Sequence, residues 1–499
     1  MSLENKIKTF QALQRNLYAK NHLMALLRFD SETAAPKGST DARGVTMSIM
    51  SEEIFKQMTA PETYALLDEL SANKDALDQL TARQVELMNR ELKLLKNIPM
   101  QEYIDYELLL NKSHEVWIEA KQKNDFALFQ PYLEKIVAAS IRNAGYIDSS
   151  KQPYDVLLDR FEHGFTMADY DPYFAAMKES LVPTILEIAK RPAPDSSILQ
   201  QRYPIEKQKQ LSQRLMELVG VDKNYCVLAE AEHPFSTTFS KYDARITTHY
   251  YEDQVESSLY SVIHESGHAM YEMHIADELQ YSLLATGGSL GLHESQSRFY
   301  ENIVGRSREF MGLLLPILKD IFPEQMKNAT EESLYLAMNK VTPSLIRTAA
   351  DELTYSLHVL IRYEIEKLLI SGELKVAEAP KYWNELYKKH LGVDVPSDSE
   401  GILQDIHWSE GALGYFPTYS IGSAYGAQML HKMSEEFKVY QAIANNSIQQ
   451  ISGWLAKNIH VHGCLYDPKD VIRMACGAEF EPQYYFDYLN KKYKDMYHI

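Results

Sequence analysis

The segment SVIHESGHAMYEMH, from Ser261 to His274, contains two histidines four residues apart, with a glutamate directly after the first. On a helix, His264 and His268 would lie on one face, about 6 Å apart along the axis. Two imidazoles so placed can bind one Zn²⁺ at about 2.0–2.1 Å each. Glu265 is rotated by about 100° from His264, so it does not ligate but can reach a water on the metal and act as general base. The spacing therefore indicates a metal helix that supports hydrolysis.

The same segment has a purely structural alternative. A chance match to this pattern is expected in about one of twenty-five chains of this size and composition. Gly267 inside the motif lowers helix propensity by roughly 1 kcal/mol relative to alanine. A structural helix gains nothing from this glycine, although close packing against another element could explain it. A catalytic metal requires a third protein ligand, and the interpretation depends on finding one.

A third ligand is expected thirty residues after His264, where Glu294 stands in GLHESQSRFYEN. The preceding LATGGSLGLHES holds the conspicuous glycine cluster of the chain and predicts a loop that enters a second helix. A carboxylate there would complete a His₂Glu set and leave the fourth position for water. Glu301, two turns further on, and His293 are alternative ligands. The structural alternative for Glu294 is a solvated glutamate at the start of a helix.

The elements that must hold these residues are predicted to be mostly helical. Glycine and proline together make up 40 of 499 residues, about 8%, against roughly 12% in average proteins. Apolar residues recur at helical spacing in TARQVELMNRELKLLKNI, at Val85, Leu87, Leu92, Leu94 and Leu95. Near Asn224 the residue composition changes. The segment NYCVLAEAEHPFSTTFSKYDARITTHYYEDQ is rich in β-branched and aromatic residues and predicts short strands. Helical patterning resumes at Ser257.

We therefore expect a mainly α fold, with a large helical body and a small β-sheet near the metal helix. No fixed-period repeat, low-complexity segment or linker divides the sequence, so a single domain over residues 1–499 is predicted. A division into an N-terminal helical lobe, about 1–220, and a catalytic lobe, about 221–499, around a cleft is the alternative.

Composition narrows the class of function. A formal net charge of −18 argues against nucleic acid, whose phosphates require a basic patch. Cys226, Cys464 and Cys476 are few and scattered, which is typical of reduced thiols in a cytoplasmic protein. The N-terminal MSLENKIKTF lacks the apolar run of a signal peptide, and the most apolar stretch, MGLLLPIL, is too short for a membrane span. We expect a soluble, intracellular enzyme without membrane partners.

Beyond one motif, the chain resembles the carboxypeptidase Taq family of HExxH metallocarboxypeptidases. The likeness is carried by HPFSTTFSKYDARITTHY, HESGH, HESQSR, IRTAADELTY and GILQDIHWSEGALGYFPTYSIG, and extends to RFDSETAAPKGSTDAR and YDVLLDRFEHGFT. In HESQSR the family's third ligand falls on Glu294. Two positions depart from the family: Phe29 stands where it usually has tryptophan, and Ser423 where it usually has asparagine. These departures bear on specificity rather than on the reaction.

The resemblance implies a mostly helical, saddle-like body with a deep active-site groove, a homodimer, and zinc as metal, with cobalt as the alternative. It also implies that Arg347, in IRTAAD, holds the substrate's terminal carboxylate, which a planar guanidinium matches well. From the residues alone, an ion pair with Asp351, four positions on, is preferred for Arg347. Arg245 is a weaker candidate for the terminal carboxylate, because an ion pair with Asp243 and packing within the strand could already engage its side chain. His233, before Pro234, could contact substrate backbone or merely end a strand.

A tetrahedral oxyanion needs a donor beside the metal, typically tyrosine or histidine. His407 precedes Trp408 in QDIHW, and Tyr415 and Tyr419 lie in GYFPTY. Each of these three side chains could point into the groove and donate to the oxyanion. The structural alternative for each is a buried polar side chain whose hydrogen bonds are made within the protein.

The function expected is a metallocarboxypeptidase that releases single residues from free peptide C-termini. His264, His268 and Glu294 hold the metal, and Glu265 moves the proton. The first alternative is a helical HExxH endopeptidase or aminopeptidase, which would share this set of metal ligands. An aminopeptidase would also need acidic residues to bind the free amine at the N-terminus of the peptide. The second alternative, a non-catalytic binding protein with a structural metal, is disfavoured because a structural site needs four ligands and no base.

Overall fold

The N-terminal part of the computed structural model is a succession of helices. The structure describes residues 1–499, apart from the side chain of Leu95. Within α4, Val85 and Leu92 are buried as their spacing predicts, whereas Leu95 lies outside the described side chains. The α-helices before residue 220 are α1 Leu3–Thr33, α2 Thr40–Met58, α3 Pro61–Ala72, α4 Gln79–Lys96, α5 Met100–Lys123, α6 Phe126–Ile147, α7 Pro153–Asp159, α8 Met167–Ile188 and α9 Ile205–Val219.

A small sheet follows α9, in the segment whose composition predicts strands. Its strands are β1 Cys226–Glu230, β2 Ser236–Ser240 and β3 Asp243–Thr248. The central β3 pairs in parallel with β1, with Cys226 opposite Ala244, and antiparallel with β2, with Ser236 opposite Ile246. Both β3 and β2 pack against the next helix, α10. The expected sheet beside the metal helix is therefore present.

Helices form most of the remaining chain, and the prediction of a mainly α fold is confirmed. A π-helical turn, Phe299–Val304, continues α11 directly. None of the helices in the described part of the chain combines the length and apolar character that a bilayer crossing requires. The later α-helices are α10 Val255–Met273, α11 Leu290–Arg298, α12 Arg308–Ile321, α13 Glu331–Met338, α14 Glu352–Ser371, α15 Ala379–Leu391, α16 Pro417–Glu436, α17 Val439–Ala444, α18 Gln449–Asn458, α19 Pro468–Cys476 and α20 Gln483–Tyr497.

Glycines set the spacing between α10, α11 and α16. A Cβ atom on Gly267 would lie 2.6 Å from the carbonyl oxygen of Gln296 and 2.7 Å from Cα of Ser297. A Cβ atom on Gly422 of α16 would lie 2.9 Å from Cβ of Glu294. These distances leave no room for a side chain, so α11 is packed tightly between its two neighbours. Close packing thus explains the helix-weakening glycine inside the HExxH motif.

The apolar core is continuous across most of the chain. Its largest cluster runs from Trp117 in α5 to Tyr497 in α20 and includes residues on both sides of position 220. A separate smaller cluster joins α1, α3 and α4 and consists of Phe10, Leu17, Leu66, Leu67, Leu70, Val85, Met88 and Leu92. The single domain over residues 1–499 and its two-lobe alternative both stay predictions.

Candidate metal centre and active site

Two histidines of α10 and one glutamate of α11 converge on a single point. Nε2 of His264 and Nε2 of His268 lie 3.7 Å and 3.6 Å from Oε2 of Glu294. One ligand atom from each of the three residues lies within 4.8 Å of the other two. Donors that surround one ion at about 2.0–2.2 Å are spaced in this way. The helical spacing thus brings together the two histidines, whose ring centroids are 4.9 Å apart, and the close contact of α10 with α11 adds the carboxylate.

The opposite ring nitrogens of both histidines are held by other side chains. Nδ1 of His264 lies 2.8 Å from Oε2 of Glu301, in the π-helical turn. Nδ1 of His268 lies 2.6 Å from Nδ1 of His293, whose Nε2 lies 2.8 Å from Oε1 of Glu272. A protonated Nδ1 on each ligand histidine leaves the Nε2 lone pair free to bind an ion. Glu301 and His293, the alternative ligands, lie behind the predicted ligands.

Glu294 is held from its other side by a cation. Nε of Arg298 donates to Oε1 of Glu294 at 2.7 Å, and Oγ of Ser297 lies 3.3 Å from Oε2. Burial alone would raise the pKa of Glu294, but the charges of Arg298 and His264 outweigh it and hold that pKa well below its usual range. The carboxylate is therefore ionised, with Oε2 turned towards the two histidines and Oε1 occupied.

The donor set fits a divalent cation of the zinc type, which prefers nitrogen and oxygen ligands in a His₂Glu arrangement. Burial lowers the pKa of His268 to about 3, so its ring is neutral at neutral pH. For His264, burial lowers the pKa, but the carboxylates of Glu294 and Glu301 raise it more. The site thus favours positive charge at Nε2 of His264, where a cation would replace the proton.

Glu265 lies beside this point without belonging to the ligand set. It is buried, and burial raises the pKa of its carboxyl group to about 7; nearby Glu294 also raises it, whereas His264 lowers it. Ser236 of β2 lies close enough to this carboxyl group to lower its pKa in part. A carboxyl group that titrates near neutral pH suits a general base at that pH.

Arg347 does not pair with Asp351, so the structural alternative for this arginine was wrong about its partner. Its Nε and one terminal nitrogen donate to Oδ1 of Asp405 at 3.1 and 2.9 Å, and the other terminal nitrogen donates to the hydroxyl of Tyr355 at 3.0 Å. Asp351 instead caps α14 by accepting from the backbone N–H of Thr354. The reason is local: residues 347–349 form a 3₁₀ turn before α14, so positions 347 and 351 do not share a helix face.

The surroundings of Arg347 are charged and aromatic. Asp405 also accepts from Nε of Arg362 at 2.6 Å, and its pKa is held well below the usual range by the two arginines, although burial opposes this. A guanidinium has five N–H groups, of which three on Arg347 have these partners. Its guanidinium carbon lies 4.9 Å from the ring centre of Tyr419. Arg347 is thus anchored from one side and adjoins the tyrosine cluster on the other.

The three predicted oxyanion candidates form one cluster. Nε2 of His407 lies 3.3 Å from the hydroxyl of Tyr419, and the rings of Tyr415 and Tyr419 are 5.2 Å apart. Burial raises the pKa of both tyrosines, and the charge of Glu294 is among the further causes. Burial lowers the pKa of His407 to about 4, which keeps its ring neutral.

The two remaining candidates are placed differently. His233 is exposed in the loop between β1 and β2. Arg245 donates from Nε and a terminal nitrogen to Asp243, both at 3.0 Å, and its guanidinium lies 4.6 Å from the ring centre of Phe239. For Arg245 the structure agrees with the packing alternative. The described contacts connect neither residue to the metal ligands.

A cavity of about 740 Å³ adjoins the site behind His293. The cavity is lined by the glycine-containing loop that enters α11 and by residues of the N-terminal part of the chain, including Tyr18, Arg90 and Arg160. Phe161, which also lines the cavity, has its ring 5.1 Å from that of Tyr415. The cavity therefore adjoins both His293, behind the predicted ligands, and Tyr415 of the tyrosine cluster, as expected for a groove.

Several residues of the site were missed by sequence reasoning. Glu272 continues the four-residue spacing of His264 and His268 along α10, which was an available signal. Arg298 follows Glu294 by one helical turn, a spacing that favours an ion pair. Asp405 stands in the quoted QDIHW, but nothing in the sequence identified it as the partner of Arg347. Ser236 approaches Glu265 only through the packing of the sheet on α10.

Comparison with known proteins points in the same direction. The family described as carboxypeptidase Taq (M32) metallopeptidase matches residues 9–493. The chain is 39% identical to "Carboxypeptidase 1" of Bacillus subtilis over 499 residues, covering 100% of both chains. It is 34% identical to "Thermostable carboxypeptidase 1" of Pyrococcus furiosus, covering 98% of each. The solved structure of the M32 carboxypeptidase from Deinococcus radiodurans is similar with a TM-score of 0.96 and 32% identity, over 99% of this chain and 100% of that one.

Proposed function

The chain belongs to the carboxypeptidase Taq (M32) metallopeptidase family and is a metal-dependent carboxypeptidase, and on this premise we propose how its own residues perform the reaction. His264, His268 and Glu294 hold the metal ion. Glu265 is the general base, and Arg347 with the tyrosine cluster binds the end of the peptide. The observation that carries this proposal is the convergence of the three ligand atoms beside a buried carboxyl group.

Zinc is the metal proposed, with cobalt as the alternative. Two neutral imidazoles and one carboxylate are the ligand set of many catalytic zinc sites. When bound, such an ion polarises a scissile carbonyl and activates water. Glu301 and the pair His293–Glu272 orient the two rings, and Arg298 holds Oε1 of Glu294, which would leave Oε2 for the ion.

Glu265 moves the proton. Its carboxylate takes a proton from the attacking water and passes it to the nitrogen of the leaving amino acid. A pKa near neutral allows both steps, because the group must accept and then release the same proton. Burial keeps competing water away from this carboxyl group.

The substrate end of the site is proposed to lie at Arg347 and the tyrosines. Two N–H groups of Arg347 remain after its contacts with Asp405 and Tyr355 and can bind a terminal carboxylate. Tyr415, Tyr419 and neutral His407 supply hydroxyl and imidazole donors for the oxyanion. Two secondary proposals remain: Arg245 as a second group for the terminal carboxylate, although Asp243 already engages it, and His233 as a contact for the peptide backbone.

Two further expectations concern the molecule in solution. A cytoplasmic homodimer is proposed, as implied for the family. The exposed apolar side chains of Met100, Ile104 and Leu108 recur every four residues on one face of α5, which supports a protein contact there. The molar mass in solution, measured by light scattering, tests the dimer.

The experiment that tests the mechanism separates metal binding from hydrolysis. Glu265→Gln should keep about one zinc ion per chain but lose about 10²–10⁴-fold in turnover, because an amide cannot accept the proton. Glu294→Ala should lose the metal itself. Glu256→Gln, on α10 but outside the ligand set, is the control and should retain both properties. Near-normal turnover of Glu265→Gln with zinc bound would remove Glu265 from the proposal.

A further inference from the structure

The two ligand histidines are supported by carboxylates through different routes. His264 contacts Glu301 directly, at 2.8 Å. His268 instead contacts another histidine, and only that second ring reaches the carboxylate of Glu272. Both contacts in this series of side chains, at 2.6 and 2.8 Å, are short enough for hydrogen bonds. The route behind His268 therefore contains one side chain more than the route behind His264.

We propose that His293 and Glu272 are positioning residues that fix the tautomer and orientation of His268, and thereby set the affinity of the protein for its metal. This inference rests on the proposed ligand set. The protons can be assigned consistently along the chain: Nδ1–H of His268 donates to Nδ1 of His293, and Nε2–H of His293 donates to Glu272. That arrangement leaves Nε2 of His268 as a lone pair directed at the ligand point.

The glycine-containing loop is shaped around this pair. Oε1 of Glu272 also accepts from the backbone N–H of Gly287 at 2.8 Å and from Oγ1 of Thr286 at 3.1 Å. A Cβ atom on Gly287 would lie 2.5 Å from Cδ2 of His293. The glycine at 287 is thus required for the loop to pass over the histidine. Three donors on one oxygen fix Glu272 and make it a rigid support for His293.

The alternative is that His293 only fills space between α10 and the cavity. Its ring also lies 5.3 Å from the ring of Tyr271, and its side chain is partly exposed to the cavity. A packing role requires the volume of the ring and is indifferent to which ring nitrogen is replaced. A positioning role requires an acceptor at the place of Nδ1. The two roles can be separated with isosteric amides.

His293→Asn places an amide oxygen near the position of Nδ1 and can still accept from His268. His293→Gln places its amide near the position of Nε2, which preserves the contact with Glu272 but not the one with His268. We expect His293→Gln to bind Zn²⁺ about 10- to 100-fold more weakly than wild type, and His293→Asn to remain close to wild type. Glu272→Gln keeps an acceptor oxygen without the charge and should show a smaller loss.

The measurement is the Zn²⁺ dissociation constant of each metal-free variant, by competition with a chromophoric chelator, together with the unfolding temperature without metal. Leu290→Ala, which trims another side chain of the same cavity, is the control and should match wild type in zinc affinity. Equal affinity losses in the asparagine and glutamine variants, or wild-type affinity in the glutamine variant, would overturn the positioning role.

The two proposals fail in different ways. If wild type binds zinc tightly and the His293 variants are unchanged, only the positioning role fails. If wild type binds no metal, the ligand set fails and takes the positioning role with it. If zinc binds as proposed but Glu265→Gln remains active, the catalytic proposal fails while the test on His293 stands.

Discussion

At the scale of single residues, the site consists of groups that contact the reaction and groups that hold them. In the proposed mechanism Arg347 combines both properties, because Asp405 and Tyr355 occupy three of its N–H groups before any substrate arrives. Its remaining N–H groups are fixed in direction by those contacts. A fixed donor pair loses little conformational entropy when it binds a carboxylate.

The role of Arg347 predicts how the enzyme responds to the end of the peptide. A terminal carboxylate on a guanidinium makes charge-assisted hydrogen bonds worth roughly 1.5–3 kcal/mol. Amidation of the peptide should therefore lower kcat/KM by at least about tenfold. Arg347→Gln should cause a similar loss on the free peptide and little further loss on the amidated one, since both changes remove one contact.

Arg362 provides the matched control for this cycle. It is a second buried arginine on the same aspartate, with Nε 2.6 Å from Oδ2 of Asp405. Arg362→Gln should separate the rates on free and amidated peptides less than Arg347→Gln does, because it reaches the substrate only indirectly, through Asp405. An equal penalty of Arg347→Gln on both peptides would make Arg347 a structural residue like Arg362. Acetylation of the peptide N-terminus should leave the rate nearly unchanged.

Helical spacing predicted that His264 and His268 meet, because i and i+4 positions share a helix face whatever surrounds them. Glu294 was expected from the HESQSR segment, and the contact of α10 with α11 brings it to the two histidines. The same reasoning gave the wrong partner for Arg347. It assumed that positions 347 and 351 share a helix, whereas a 3₁₀ turn and an extended residue separate them. Asp405 is 58 positions away in the chain, and such a contact depends on the tertiary fold.

At the scale of elements, the distance between α10 and α11 determines whether the three proposed ligands meet. Gly267 on α10 faces the backbone of α11, and a Cβ atom added to it would lie 2.6–2.9 Å from atoms of Gln296 and Ser297. Two ligands are on one of these helices and the third is on the other. The packing of two backbones therefore controls the geometry of the metal site.

Replacement of Gly267 should disturb the site without touching a ligand. The methyl group of Gly267→Ala would force α10 and α11 apart, which should destabilise the protein by about 1–3 kcal/mol and weaken Zn²⁺ binding. Gly453→Ala is the matched control: Gly453 also lies inside a helix, α18, but has no atom within 4 Å of an added Cβ. It should be neutral or stabilising by up to about 1 kcal/mol.

Urea unfolding and chelator competition measure the two effects of these glycine variants. Unchanged zinc affinity in Gly267→Ala would show that the helices can separate without moving the ligands, contrary to the packing argument. A loss of stability in Gly453→Ala as large as in Gly267→Ala would indicate a general cost of alanine at helical glycines in this protein.

The elements themselves were largely predictable from composition and periodicity. The helices and the strands after Asn224 were confirmed, because β-branched residues and alternation separate that segment from its helical neighbours. The π-helical turn after α11 was not predicted, since its sequence, FYENIV, has no distinctive pattern. That turn holds Glu301 against His264, so part of the support of the metal site was beyond the reach of local sequence.

At the scale of the whole molecule, the core contains ionisable groups whose protonation is shifted in opposite directions. Burial lowers the pKa of His407 to about 4, against the ordinary value of 6.5. Burial raises the pKa of Glu366 to about 7, from 4.5, although it accepts hydrogen bonds from Trp408, Tyr154 and the backbone of Gly414. Neither residue is one of the proposed metal ligands.

These opposite shifts have opposite effects on stability. As pH falls below about 6.5, the unfolded chain protonates its histidine while His407 stays neutral in the fold, so stability is lost towards about pH 4. As pH rises above about 4.5, the unfolded chain ionises its glutamate while Glu366 stays protonated in the fold, so stability is lost towards about pH 7. Between these limits each group contributes a slope of up to about 1.4 kcal/mol per pH unit, and the two slopes oppose each other.

Single substitutions should therefore tilt the pH dependence of stability in opposite senses. With chelator present, so that metal binding does not contribute, His407→Gln should remove a loss of unfolding free energy on acidification, and its stability relative to wild type should rise as pH falls from about 6.5 to 5. Glu366→Gln should remove a loss on alkalinisation, so its relative stability should rise as pH increases over the same window. The absolute stability of Glu366→Gln also falls, because an amide N–H would face donors at Gly414 and Tyr154, and only the slope reports the titration.

His431→Gln, at an exposed position of α16, is the control and its stability curve should run parallel to that of wild type. Urea unfolding at several pH values gives these slopes, and parallel curves for all three variants would show that neither buried group changes its protonation on unfolding in this window.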